Sequence, residues 1–122
     1  MPTRTFLFQP RFAPKVKAGE KLQTVRPFRK RRPEPGDPLS LREWTSKPYR
    51  SKQRELRQAV IKRVAAIHLD LFGILSIDGE WLTASRQDVF AHDDGFSNAD
   101  EMREWFGKTH GLPFNGMVIY WR

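Results

Sequence analysis

Apolar positions along this chain come in short bursts, cut repeatedly by proline and glycine. Residues 5–8 (TFLF) have strand composition, and Pro10 suits a strand end better than a helix interior. Residues 11–20 (RFAPKVKAGE) predict a short helix, with Pro14 tolerated in its first turn and Gly19 as its C-terminal cap. A strand over 21–27 (KLQTVRP) follows and stops at Pro27. Prolines 33, 35 and 38 then leave RKRRPEPGDP short of the backbone donors a sheet needs, so this stretch reads as a loop. Alternation in LSLREW (39–44) predicts the next strand.

Residues 55–70 carry two conflicting signals. Leu56, Val60, Val64 and Ile67 fall at helical spacing, and by periodicity alone the segment is a helix. Val60, Ile61, Val64 and Ile67 are β-branched, which is the composition of a long bent strand. The following FGILSIDGEWLT predicts a hairpin, with Asp78-Gly79 as a type I′ turn. Residues 85–111 predict two helical pieces broken at Gly95. Ser97 or Asn98 caps the second, Asp100 and Glu101 complement its dipole, and Gly111 ends it. GMVIYW (116–121) closes the chain as a strand, and no internal repeat is present. Strands in both halves with short helices between them predict an α+β fold, a small mixed β-barrel with short flanking helices.

Length and composition fit one domain over residues 1–122. Four Trp and nine Phe supply the bulk for a core that needs no metal or disulfide staple. The absence of cysteine excludes disulfides, zinc–thiolate sites and thiol nucleophiles, and fits the cytoplasm. No apolar run approaches the ~20 residues of a membrane span, and the N-terminus lacks the apolar region of a signal peptide. A cytoplasmic monomer with no membrane partner is the expectation.

Charge changes the picture more. Residues 1–63 hold eighteen Lys and Arg against five Asp and Glu, while residues 64–122 hold four against nine. Within the chain's net +8, five basic residues fall in the seven positions 26–32. Such polarity focuses a phosphate backbone onto one side of a molecule, and exceeds what solubility requires.

Candidate chemistry is sparse. His68, His92 and His110 lack metal-ligand spacing, and HDDG at 92–95 also describes a turn or helix cap, so no metal site is expected. No nucleophile elbow or phosphate-binding loop occurs. Met102, Trp105 and Phe106 read as the core face of a helix. Lys21 and Thr24 say more. On one strand their odd spacing would put them on opposite faces, so Lys21 must lie in the turn before the strand if they are to meet. There it can serve as base for the Thr24 hydroxyl once burial lowers its pKa. Spacing alone favours the plainer reading of a solvated lysine and a β-favouring threonine.

Gly19, Lys21, Thr24 and Arg26, with Pro35-Gly36-Asp37 downstream, form the pattern Gly-x-Lys-x-x-Thr-x-Arg followed by Pro-Gly-Asp. Together with a phenylalanine-rich first strand, this resembles the opening of ASCH-domain proteins. The C-terminal stretch FAHDDGFSNADEMREWFGKTHGLPFNGMVIYW resembles a variety common in tailed phages and prophages. The resemblance implies a PUA-like β-barrel associated with RNA, and favours a strand over 55–70. It also implies similarity to small amidohydrolases that remove an acyl group from the exocyclic amine of acylated cytidine, without a cofactor. In those, threonine is the nucleophile, lysine activates it and a glutamate completes the triad. Carried over, these are Thr24, Lys21 and, by alignment, Asp94, with Asp93 the neighbouring candidate. Aspartate is one methylene shorter, so contact with Lys21 needs a closer backbone. The basic loop at about 27–38 and the hairpin at 71–83 are additions to the smallest amidohydrolases.

Two functions follow. As an enzyme, Thr24 attacks the amide carbonyl of a modified nucleoside while Lys21 takes its proton, Asp94 positions Lys21, and Arg26 or a backbone amide holds the oxyanion. As a non-catalytic RNA-binding module, or a ribonuclease, the protein uses Arg26, Arg29, Lys30, Arg31, Arg32, Lys47, Arg50 and Lys52 on phosphates, with Phe28, Trp44 or Tyr49 stacking on bases.

Overall fold

The computed structural model describes residues 3–122 as a mixed α+β fold of eight strands in two sheets with three helices. Three strands form the first sheet: β1 (Arg4–Leu7), β3 (Pro38–Trp44) and β4 (Gln53–Val60), in the order β1-β3-β4. The second holds β2 (Gln23–Arg26), β8 (Phe114–Tyr120), β5 (Arg63–Leu69), β6 (Leu75–Ile77) and β7 (Glu80–Trp81), in the order β2-β8-β5-β6-β7. β1 and β3 are parallel, while the pairs β3–β4, β2–β8 and β5–β8 are antiparallel.

The helix expected by periodicity over 55–70 is absent. The segment forms β4 and β5, which turn at Ile61 and Lys62 and join different sheets. Partners decide the conflict. β4 finds a ladder along β3, and β5 lies between β8 and β6, where Ala65, Ile67 and Leu69 point inward at strict alternation. β-branched residues suit such a pleated, half-buried surface, and the helical spacing of four residues was coincidental.

The expected barrel is also not closed. Among the described residues no ladder joins the two sheets, and the edges of β1 and β2 are linked by a side chain across the seam between them: Arg26 Nη2 donates to the Leu7 carbonyl at 2.8 Å.

Other local signals act as their chemistry requires. Helix α1 (Ala13–Ala18) has Pro14 in its first turn and ends at Gly19, whose φ of +77° is left-handed. Asp78 and Gly79 both have positive φ, as a type I′ hairpin turn demands. Helix α2 (Ala84–Asp93) is capped by Thr83, and α3 (Ala99–Thr109) by Asn98, whose side chain accepts from the Glu101 amide at 2.9 Å. A single core joins Phe6 and Leu41 of the first sheet to Ile67 and Ile119 of the second and Phe106 of α3. Among the described residues no helix is long and apolar enough to cross a membrane.

Candidate active site

Lys21 sits in the turn between α1 and β2, two residues before the strand begins. Its main chain is fixed by the hydrogen bond from its amide to the Lys15 carbonyl, and the next residue is tied to α2 by Leu22 N–H to Asp93 O at 2.9 Å. Out of strand register, its side chain shares one cavity with Thr24, Arg26 and Asp94. That cavity, about 200 Å³, occupies the seam between the sheets. Phe8 and Phe12 line one side, and Trp105, Thr109 and His110 of the α3 region another.

Lys21 and Asp94 are both about 97% buried, each 3% exposed. The ammonium donates to the Asp94 main-chain carbonyl, and Nζ lies 3.5 Å from the Asp94 carboxylate Oδ1. Lys15 donates to the neighbouring Gly95 carbonyl at 2.7 Å, so two amines meet the C-terminal carbonyls of α2, the negative end of its dipole. Nζ also stands 4.9 Å from the centre of the Phe12 ring. Gly95 explains how an aspartate reaches this lysine. Its φ is +100°, and a Cβ there would lie 3.1 Å from Phe12 and 3.3 Å from the Lys21 stem. Only glycine lets the backbone come this close to the lysine.

Burial pushes Lys21 below its ordinary pKa, an effect that the charge of Asp94 only partly offsets. Burial pushes Asp94 above its ordinary pKa, against the attraction of Lys21. The two therefore behave as one coupled group, and the neutral amine is within reach at lower pH than for an exposed lysine. Gln23, also buried, approaches Asp94 and favours its ionised form, yet Gln23 Nε2 and Asp94 Oδ1 each lack an aligned hydrogen bond.

The Thr24 hydroxyl accepts from Arg26 Nε at 3.0 Å. It has no hydrogen bond from Lys21, whose donor goes to Asp94. With Nε on Thr24 and Nη2 on Leu7, Arg26 is held rigidly, its guanidinium 5.0 Å from the Phe8 ring centre. Burial, then the charge of Arg29, lowers its pKa to about 10, which leaves it protonated at neutral pH. A donor on Oγ1 stabilises an alkoxide there, and leaves the hydroxyl proton free to depart. His110 is held below its ordinary range by partial burial, then by the charge of Arg26.

No family model, curated protein or solved structure matches the chain. The site is therefore read from its own geometry. Of the residues singled out from sequence, the fold unites Lys21, Thr24, Arg26 and Asp94; Asp93 lies outside this cavity, beside a different surface hollow. Gln23, Gly95, Trp105 and His110 were missed. Trp105 reads from sequence as a core residue and His110 only as a histidine without metal-ligand spacing; the one cue is that Trp105 and Thr109, four apart on α3, share a side.

A second hollow, about 560 Å³, adjoins the first and shares Leu7, Phe8, Gln9 and Arg26 with it. Arg29, Trp44 and Tyr49 line it, whereas Lys30, Arg31, Arg32, Lys47, Arg50 and Lys52 do not. The basic loop is pinned rather than loose. Arg4 donates to the carbonyls of Arg31 and Arg32 and pairs with Asp37 at 3.2 Å. Arg32 covers Phe28, which takes no part in either hollow. Among the described residues, none of the eight cations expected to meet phosphate forms an ion pair with a carboxylate. His68 bonds Asn115 at 2.8 Å, and no cluster of His, Cys, Asp or Glu among the described residues is arranged to hold a metal.

Proposed function

We propose that this chain is an ASCH-type, PUA-like amidohydrolase that removes an acyl group from the exocyclic amine of acylated cytidine. One observation carries the reading: a buried lysine of lowered pKa and a threonine hydroxyl held by an arginine face the same cavity.

The cavity's apolar and aromatic walls suit a single-ring base, with Phe8, Phe12 and Trp105 flanking it. Thr24 Oγ1 attacks the acyl carbonyl and its proton passes to the neutral Lys21 amine. Because Lys21 and Thr24 share no hydrogen bond, the transfer runs through a bound water or after substrate closes the gap. Negative charge collects on the former carbonyl oxygen, within the field of Arg26. The C–N bond then breaks, Lys21 returns the proton to the departing cytidine amine, and the acyl group is left as an ester on Thr24. Water, deprotonated by Lys21, hydrolyses that ester and frees Thr24 with release of the carboxylic acid. Asp94 positions Lys21 throughout.

The test is acid release from acetylated cytidine by the wild type, Lys21→Ala and Thr24→Ala, each checked for folding by circular dichroism. Turnover should fall about 10²–10⁴-fold in Lys21→Ala, the range for losing a general base, and at least as far in Thr24→Ala. A folded wild type that releases no acid sinks the reading.

The missing Lys21–Thr24 hydrogen bond and the row of unpaired cations favour a second reading, a non-catalytic RNA-binding module or a ribonuclease. RNA retention without acid release, and with or without strand cleavage, would select between its two forms.

A further inference from the structure

The second hollow has no role in deacylating a free nucleoside. It nevertheless adjoins the first, with Leu7, Phe8, Gln9 and Arg26 lining both, and the rest of its lining is unusual. Tyr49 is 87% exposed, the most exposed large apolar side chain described, and it leans on Trp44 with ring centres 5.2 Å apart. Its φ of +62° is a left-handed conformation that bulky residues avoid. A loop built only to turn would carry glycine or asparagine there. Arg29 completes the lining: its guanidinium lies 4.5 Å from the Phe6 ring centre and forms no ion pair among the described residues. An aromatic platform, an unpaired cation and a base-sized cavity thus lie side by side, and the two adjoining hollows make one groove of them.

We infer that the groove binds a single-stranded oligonucleotide across at least two nucleotides, with one base in the Lys21–Thr24 cavity, a neighbouring base on Tyr49 and Trp44, and the phosphate near Arg29. The inference rests on the proposed function only for which cavity receives the reacting base. It makes the substrate an acylated cytidine within a strand rather than a free nucleoside. Aromatic platforms and cations in this order are how proteins hold single strands, since every base has a face to stack. The other unpaired cations of the basic loop follow Arg29 directly in the chain and add to the positive field.

The experiment has two readouts on the folded, full-length chain. Equilibrium binding of a cytidine pentamer, as RNA and as DNA, is compared with cytidine monophosphate, and acid release from acetylcytidine within a pentamer is compared with the nucleoside. The informative variant is Tyr49→Asn, because asparagine accepts a φ of +62° and the fold survives. Pentamer binding should weaken about tenfold, the loss expected for one stacked base, while turnover of the free nucleoside is unchanged. Arg29→Gln should lower the slope of log K against log salt by about 0.7, one phosphate contact on a single strand. The RNA and DNA arms identify which strand the groove prefers.

Pentamer binding that depends on Tyr49, without acid release from any substrate, supports the strand path and removes the hydrolase reading. Equal turnover of nucleoside and pentamer, with Tyr49→Asn unchanged on both, overturns the strand path and leaves the hydrolase. A pentamer bound no tighter than the monophosphate also overturns it. So does a polyglutamate peptide that binds as tightly, which would make the groove a site for acidic protein.

Discussion

In the proposed mechanism, the chemistry of the cavity turns on the proton of Lys21. Burial lowers its pKa, and the adjacent Asp94 carboxylate holds the proton on. Activity that needs the neutral amine therefore rises with pH to a plateau, with a midpoint below 10.5, the ordinary lysine value. Asp94→Asn removes the attraction that retains the proton, so the rising limb should move to lower pH, while the main-chain carbonyl of residue 94 still holds the Lys21 amine. A pH–rate profile of both proteins checks this; a limb that stays fixed or moves upward would show that Asp94 does not act on Lys21. The odd spacing of Lys21 and Thr24 requires the lysine to lie in the turn before β2 if the two are to share a site, as it does. The resemblance, and not the spacing, singles the pair out. Asp94 was reached through resemblance, since 73 residues separate it from Lys21 and no local pattern reports the contact. Gly95 was legible as a break in the helices, but not as the residue that lets an aspartate stand where a longer acid is expected.

At the level of the elements, β2 carries Thr24 and Arg26, and β8 is what holds it. Gly116 of β8 lies against β2 so closely that a Cβ would stand 2.5 Å from the Arg26 carbonyl and 2.8 Å from the Phe114 ring. Gly116→Ala should destabilise the fold by about 1–3 kcal/mol, the usual cost of overpacking, and shift Arg26 off the threonine. Urea unfolding measures the first effect, and turnover at a concentration where the variant remains folded measures the second. Short, strongly punctuated elements were well read from sequence: α1 between Pro14 and Gly19, the turn at Asp78-Gly79, and α3 from its Asn98 cap. The 55–70 segment was not, because its helical spacing and its β-branched composition disagree and only the partners β3 and β8 arbitrate. The barrel expectation failed for a similar reason. Whether the edges of β1 and β2 pair is decided across the molecule, and here the Arg26–Leu7 contact takes the place of a ladder.

For the whole molecule, the uneven charge visible in the sequence becomes a set of cations left without carboxylate partners among the described residues, of which Arg26 and Arg29 line the second hollow. Arg103 and Lys108 of the acidic half, by contrast, are each paired on their own helix. Unpaired surface cations repel one another, and a polyanion relieves that repulsion. Replacing Lys30, Arg31 and Arg32 together by alanine should weaken RNA binding about equally for all sequences and flatten its salt dependence by about 0.7 per lost contact. Turnover of the free nucleoside should not change, because these side chains line neither hollow. A salt titration monitored by tryptophan fluorescence separates the outcomes; an unchanged slope would mean that the loop does not meet phosphate.

The most direct test of the account follows the acyl group itself. Wild type and Thr24→Ala are mixed with acetylcytidine, quenched in acid over a time series from milliseconds to minutes, and mapped by peptide mass spectrometry. The account predicts one acetyl group that appears transiently on the peptide containing Thr24, and a Thr24→Ala protein that neither gains it nor turns over. A folded Thr24→Ala protein that deacylates its substrate at the wild-type rate would contradict it.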